Sequence, residues 1–252
     1  MSNNLKLGIT LFVLGIIGVL SMLTVNIPLD SLPKIVTEKY SPLQLKWLLL
    51  INPTFLTIIA ILIGVALHEK VKLNTPIIKI FLKIEESSFS LFEQIKSGII
   101  FGIVSGIIIT AIAAFYQSIL PAEFIALGAK IDITPTARLL YGGITEELLM
   151  RFGFMTLFVW IVFKISKSLG NYTYIIGILL SSLLFAAGHL PVVFNAVAEP
   201  SAILISYIIL GNASAGILFG WQYWKKGLEA AMIAHMFAHI TMMLGEHFLN
   251  LQ

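Results

Sequence analysis

Apolar runs of about twenty residues recur from one end of this sequence to the other, and a run of that length is what a helix needs to cross the hydrocarbon core of a bilayer. Seven candidates fall at roughly 7–27, 47–67, 97–120, 136–163, 173–190, 201–224 and 228–250. A segment in lipid must satisfy its own backbone N–H and C=O groups, which leaves helices and closed barrels. These runs are continuous and lack the residue-by-residue alternation of barrel strands. The expected fold is therefore all-α, a polytopic integral membrane helix bundle of about seven transmembrane helices. A re-entrant segment between Pro191 and Pro200 would make eight.

Composition agrees with that reading. The 252 residues are 58% hydrophobic and 12% charged, with a mean hydropathy of +0.96, far from the balance of a soluble domain. No polar block is long enough to fold separately, so residues 1–252 are read as a single membrane domain. The first run is too long for a signal-peptide core and ends without a small-residue cleavage site, which keeps it as a span. The net charge of +3 comes from scattered lysines. They form no run that would follow a nucleic-acid backbone, so membrane lipid is the expected partner and nucleic acid is not. With no cysteine in the chain, disulfides, thiolate nucleophiles and Cys-ligated zinc are excluded. The Asn171-Tyr172-Thr173 sequon falls in a connection expected on the cytoplasmic side and carries no weight. No internal repeat is visible, which counts against inverted-repeat carriers.

The longest polar connection, residues 68–96, contains Lys79, Lys83, Glu86 and Glu93 at helical spacing, with Ile77, Ile80, Phe81, Ile84, Phe89 and Phe92 between them. That pattern predicts an amphipathic helix over about 76–95 lying in the interface, after two N-terminal spans. Lys6, Lys70, Lys72, Lys79, Lys83, Lys96, Lys164, Lys167, Lys225 and Lys226 fall on one side of a seven-span topology. Lys34, Lys39, Lys46, Lys130 and Arg138 fall on the other, so the first side, with the N-terminus, is expected to be cytoplasmic.

Ionisable residues inside spans are costly and are functional candidates by default. The fourth run carries "EELLMR", with Glu146, Glu147 and Arg151; the fifth ends on "FAAGH", with His189; the seventh carries "HMFAH", with His235 and His239. Glu147 stands four residues before Arg151, the favourable order for an intrahelical ion pair. Glu146 points about 100° away around an α-helix, with no opposite charge one turn off. Gly142 and Gly143, one turn earlier, allow another backbone to approach. A buried ion cluster that only fixes packing is one reading of these residues. The other is a site for adding water to a carbonyl: a free carboxylate as base, with histidines to handle protons and to donate to an oxyanion.

In this order the three motifs match EExxxR, FxxxH and the first position of HxxxN/D. The sequence resembles the CAAX protease and bacteriocin-processing family of intramembrane glutamic endopeptidases, also called the abortive-infection family and related to the type II CAAX prenyl endopeptidase. The resemblance covers about residues 95–250. It implies an intramembrane catalytic cavity in which Glu146 and His189 activate water, His235 and His239 stabilise the oxyanion, and Glu147 and Arg151 support the site. It further implies an endopeptidase with no metal cofactor, a peptide or protein substrate (lipidated substrates included), and a multi-pass position in the cell membrane of a prokaryote.

His239 departs from the family, which has Asn or Asp there. An imidazole N–H can replace an amide donor, but His235 and His239 also reproduce the spacing of a zinc helix. A zinc-dependent protease completed by His189 or Glu146 therefore stays open. So does a non-catalytic immunity or scaffold protein. Substrate identity and oligomeric state are not set by the sequence. Straight helices rising about 1.5 Å per residue put Glu146 mid-membrane, His189 near the outer end and His235 nearer the inner end. A shared site requires the fifth helix and the 191–200 segment to depart from a simple crossing.

Overall fold

The computed structural model describes residues 2–26, 34–84, 90–128 and 133–249. It contains helices and no strand among those residues. Seven spans are long and apolar enough to cross a membrane: Asn3–Thr24, Pro42–Leu67, Leu91–Ile119, Pro135–Ser166, Asn171–Ala196, Ala202–Lys225 and Leu228–Leu249. Leu62, Phe115, Ile107 and Leu183, all more than half exposed, form part of an outer surface that suits lipid.

Local chemistry sets several of the span starts. Ser2, Ser41, Ser90, Thr134 and Ser201 each accept a backbone N–H from the first turn of a span. A hydroxyl in that position satisfies a donor the helix leaves unpaired. Ser41 and Gln44 complete a reciprocal capping box. The fourth span stops at Lys167, whose backbone is left-handed at φ 57°.

The spans pack through small residues, since lipid tails supply no hydrophobic drive between helices. On the third span, Gly98, Gly102 and Gly106 lie against Ala230, Ala234 and Ala238 of the seventh. A Cβ at Gly102 would come within 2.5 Å of the Ala234 carbonyl. The fourth span is the hub. It touches the first, second, fifth, sixth and seventh, and its Leu148, Phe152 and Met155 are fully buried.

The connection after the second span differs from the expected interfacial helix over about 76–95. Among the described residues between the second and third spans, the α-helix covers only Pro76–Phe81, and Lys83, left-handed at φ 54°, follows its end. Glu86 and Phe89 lie outside the described residues, as does Lys130, while Glu93 sits in the first turn of the third span. Lys79 is buried rather than solvated, with its Nζ 3.0 Å from Glu69. That hydrogen bond holds the Glu69 carboxyl below its usual range, and burial pushes the neighbouring His68 down. The short helix is docked from the seventh span, where Glu229 accepts the Ile78 N–H at 2.8 Å.

The fifth span is broken. Its first helix runs Asn171–Gly188, His189 caps it, and a second helix follows over Leu190–Ala196.

Tight and open glycines should respond oppositely to substitution. Gly102→Leu is expected to lower unfolding stability in detergent by about 1–3 kcal/mol, because it overpacks a closed seam. Nothing lies within 4 Å of a Cβ at Gly211, so Gly211→Ala should raise stability by roughly 0.5–1 kcal/mol through helix propensity. Thermal unfolding of the two variants checks both.

Candidate active site

The segment bearing both carboxylates is not an ordinary α-helix. Arg138–Glu146 and Leu148–Met155 are wound as π-helix, and the Thr156 N–H reaches back five residues to the Arg151 carbonyl. Such turns hydrogen-bond from i to i+5 and concentrate at functional sites. The wider winding turns less per residue than the 100° of an α-helix, so Glu146 and Glu147 diverge less than the sequence reading assumed. Both reach the same imidazole.

Glu147 is fully buried and committed on both oxygens. Oε1 lies 2.9 Å from His235 Nδ1, and Oε2 lies 3.2 Å from Arg151 Nε in an off-line charge contact rather than a hydrogen bond. Arg151 is itself fully buried. Its guanidinium carbon stands 5.2 Å from the Phe185 ring centre and 5.6 Å from that of Phe219. Desolvated contacts of this kind contribute about 2 kcal/mol each. The ion pair of the sequence reading is present, and Glu147 has a second task that the reading did not give it: it orients His235. With Nδ1–H donated to a carboxylate, the other nitrogen of the ring is the one presented outward.

That outward nitrogen, His235 Nε2, lies 3.9 Å from Glu146 Oε2. Glu146 accepts no hydrogen bond among the described residues and lines a cavity of about 430 Å³. His189, His235 and His239 line the same cavity. His189 stands at the break between the two helices of the fifth span and lines that cavity together with the residues of the fourth and seventh. His189 Nδ1 lies 2.8 Å from the Phe185 carbonyl, which assigns the proton to Nδ1 and leaves Nε2 as an acceptor.

His239 stacks near-parallel on His235, ring centres 4.9 Å apart. Its Nδ1 is buried and has no hydrogen-bond partner among the described residues. A Cβ at Gly142 would stand 2.6 Å from His239 Nε2 and 3.5 Å from His235 Nε2. Both ring nitrogens therefore flank the bare backbone at Gly142, which is the reason for glycine at that position.

Three participants were not singled out from the sequence. Phe219 stacks on His235 at 4.5 Å and helps cover Arg151; an aromatic in an apolar run gives no local signal. Phe185 was visible only as a letter of the FxxxH motif. Arg138, counted among the outer connecting charges, instead lines the cavity, with Nη1 at 2.9 and 2.7 Å from the two oxygens of Glu246. Among the described residues no three His, Asp or Glu side chains are arranged to hold a metal ion.

A family model described as type II CAAX prenyl endopeptidase Rce1-like matches residues 133–241. That stretch runs from just before Arg138 to just past His239 and contains all four cavity-lining candidates. No curated protein and no solved structure matches the chain.

Arg151→Met is expected to cost about 3–5 kcal/mol, because it leaves the buried Glu147 charge uncompensated. Thermal unfolding in detergent measures it, and a variant as stable as the wild type would refute the role given to the pair.

Proposed function

We propose, from the premise that residues 133–241 belong to the type II CAAX prenyl endopeptidase Rce1-like family, that the cavity hydrolyses a peptide bond with Glu146 as general base and with no metal. The family match supports, in general terms, a CAAX-type endopeptidase, and the seven apolar helices support a multi-pass membrane protein. The division of labour among the residues is our reading. The observation that carries it is the contrast between adjacent carboxylates: Glu147 hydrogen-bonds His235 on one oxygen and meets Arg151 at 3.2 Å on the other, while the Glu146 carboxylate lines the cavity and accepts no hydrogen bond among the described residues.

In the proposed reaction a water oxygen attacks the substrate carbonyl carbon while Glu146 takes one of its protons. His189 Nε2, whose ring is set by the Phe185 carbonyl, accepts the other water proton in a hydrogen bond and so aims the lone pair. The carbonyl electrons move onto oxygen, and that oxyanion is met by an N–H of His239; His235, whose Nδ1–H is given to Glu147, adds a second donor at Nε2 only when its ring carries both protons. Donors fixed in advance in a water-poor site are worth most at this stage. As the tetrahedral carbon collapses, the C–N bond breaks and Glu146 returns its proton to the leaving amine. Glu147 and Arg151 touch no reacting atom and act through His235.

We further propose that the substrate is a peptide or protein reaching the cavity from the membrane, lipidated substrates included, and that the chain sits in a cell membrane with its N-terminus cytoplasmic. The apolar walls around the polar centre, among them Ile109, Val192, Ile208 and Met242, support an apolar substrate.

Cleavage of a peptide library by the purified protein in detergent tests the reading. Glu146→Gln should lower kcat by about 10²-fold or more, His239→Asn should retain cleavage, and a zinc chelator should have no effect. Activity lost on chelation and restored by zinc would contradict the mechanism, as would full activity in Glu146→Gln.

A further inference from the structure

Hydroxyls buried in membrane helices ordinarily bond back to a carbonyl of their own helix, and most here do so. Thr57 donates to Pro53, Ser105 to Phe101, and Ser181 and Ser182 to Ile178. Thr145 does not. This fully buried residue, immediately before Glu146, donates from Oγ1 across to the Gly15 carbonyl of the first span at 2.9 Å.

The first span is shaped for that bond. A Cβ at Gly18 would run into Thr145 Oγ1 and stand 2.6 Å from the Leu140 carbonyl. At Gly15 it would stand 2.7 Å from Thr57 and 3.0 Å from Leu148. The fourth span is thus gripped on two sides. The first span supplies the glycines on one side, and on the other the fourth span's own Gly142 and Gly143 receive His239 and Met236 of the seventh. Glu146 lies in the gripped turn, 3.9 Å from His235 Nε2. The first span lies wholly outside residues 133–241.

We infer that Thr145, held by the Gly15 carbonyl and by the close approach at Gly18, is a positioning residue that sets Glu146 against His235 and His239, and that the first span is thereby part of the catalytic apparatus. The inference rests on the reading of Glu146 as the base. Its physical basis is that reacting groups displaced by about 1 Å can lose 10²-fold in rate, although no group that touches substrate has been removed. Thr145→Val keeps the shape and deletes the donor. Thr145→Ser keeps the donor. Gly18→Ala keeps the donor and crowds it.

The experiment compares these variants with wild type and Glu146→Gln on one peptide cleaved by the wild type in detergent, with kcat, KM and thermal unfolding read together. Thr145→Val is expected to lose about tenfold or more in kcat with KM within about twofold, while melting close to wild type. Thr145→Ser should restore kcat, and Gly18→Ala should fall in the same direction as Thr145→Val. If Thr145→Val does not fold, the Ser and Ala variants carry the same contrast.

Wild-type kcat in Thr145→Val or Gly18→Ala, with Glu146→Gln inactive, overturns the positioning role and leaves the function standing. A loss that Thr145→Ser shares also overturns it. Full activity in Glu146→Gln, or a wild type that cleaves no peptide, overturns the reading beneath it as well.

Discussion

A single buried carboxylate, Glu147, joins two basic side chains of very different use. On one oxygen it meets Arg151, a charge with no route to solvent; on the other it meets His235, whose far nitrogen faces the cavity. Taking such groups out of water is expensive, and their attraction repays the cost only when each is well placed. Placement is supplied by Phe185 on the fifth span and Phe219 on the sixth, whose rings lie over the guanidinium. One ionic cluster therefore ties the fourth span to the fifth, sixth and seventh, and the orientation of His235 follows from it. Glu146 is available to the cavity because its neighbour meets the structural demand.

That cluster needs helices that can come close enough to share it. Small residues provide the approach at the third and seventh, fifth and sixth, and first and fourth contacts. The same device shapes the site, because Gly142 leaves room for the Nε2 atoms of His235 and His239. Elsewhere the glycine has the opposite effect: at Gly188 and Gly211 no packing neighbour stands within 4 Å of where a Cβ would be, and both line the cavity. Glycine thus serves two purposes here, close approach between helices and at Gly142, and open space along the cavity at Gly188 and Gly211.

Much of this was legible in the sequence. Hydrophobic length alone identified seven spans, because lipid permits so few backbone solutions. The i, i+4 relation of Glu147 and Arg151 gave their pairing, and the three motifs gave the residues that line one cavity. What stayed hidden was non-local. No spacing rule shows that Glu147 also holds His235, since that contact spans 88 positions. Arg138 read as a flanking charge because its partner Glu246 lies 108 residues away.

The π winding was missed because the residues of 138–155 fit an α-helical pattern equally well, and the expected divergence of the two carboxylates was overstated as a result. The amphipathic pattern over 76–95 gave way where tertiary partners outweighed it. Lys79 found Glu69 and the Ile78 N–H found Glu229, so the short helix is docked inward there, while Lys83 and Glu93 stay exposed. The Ser and Thr caps at span starts were readable in principle, through a hydroxyl just ahead of an apolar run.

The central claim is that two adjacent carboxylates divide structure from chemistry. Thermal unfolding of Glu146→Gln and Glu147→Gln, side by side in the same detergent, tests it without reference to any substrate. The account predicts that Glu146→Gln melts with the wild type, and that Glu147→Gln melts well below it because Arg151 is left without its countercharge. Equal shifts in the two variants, or a larger loss in Glu146→Gln, would contradict it.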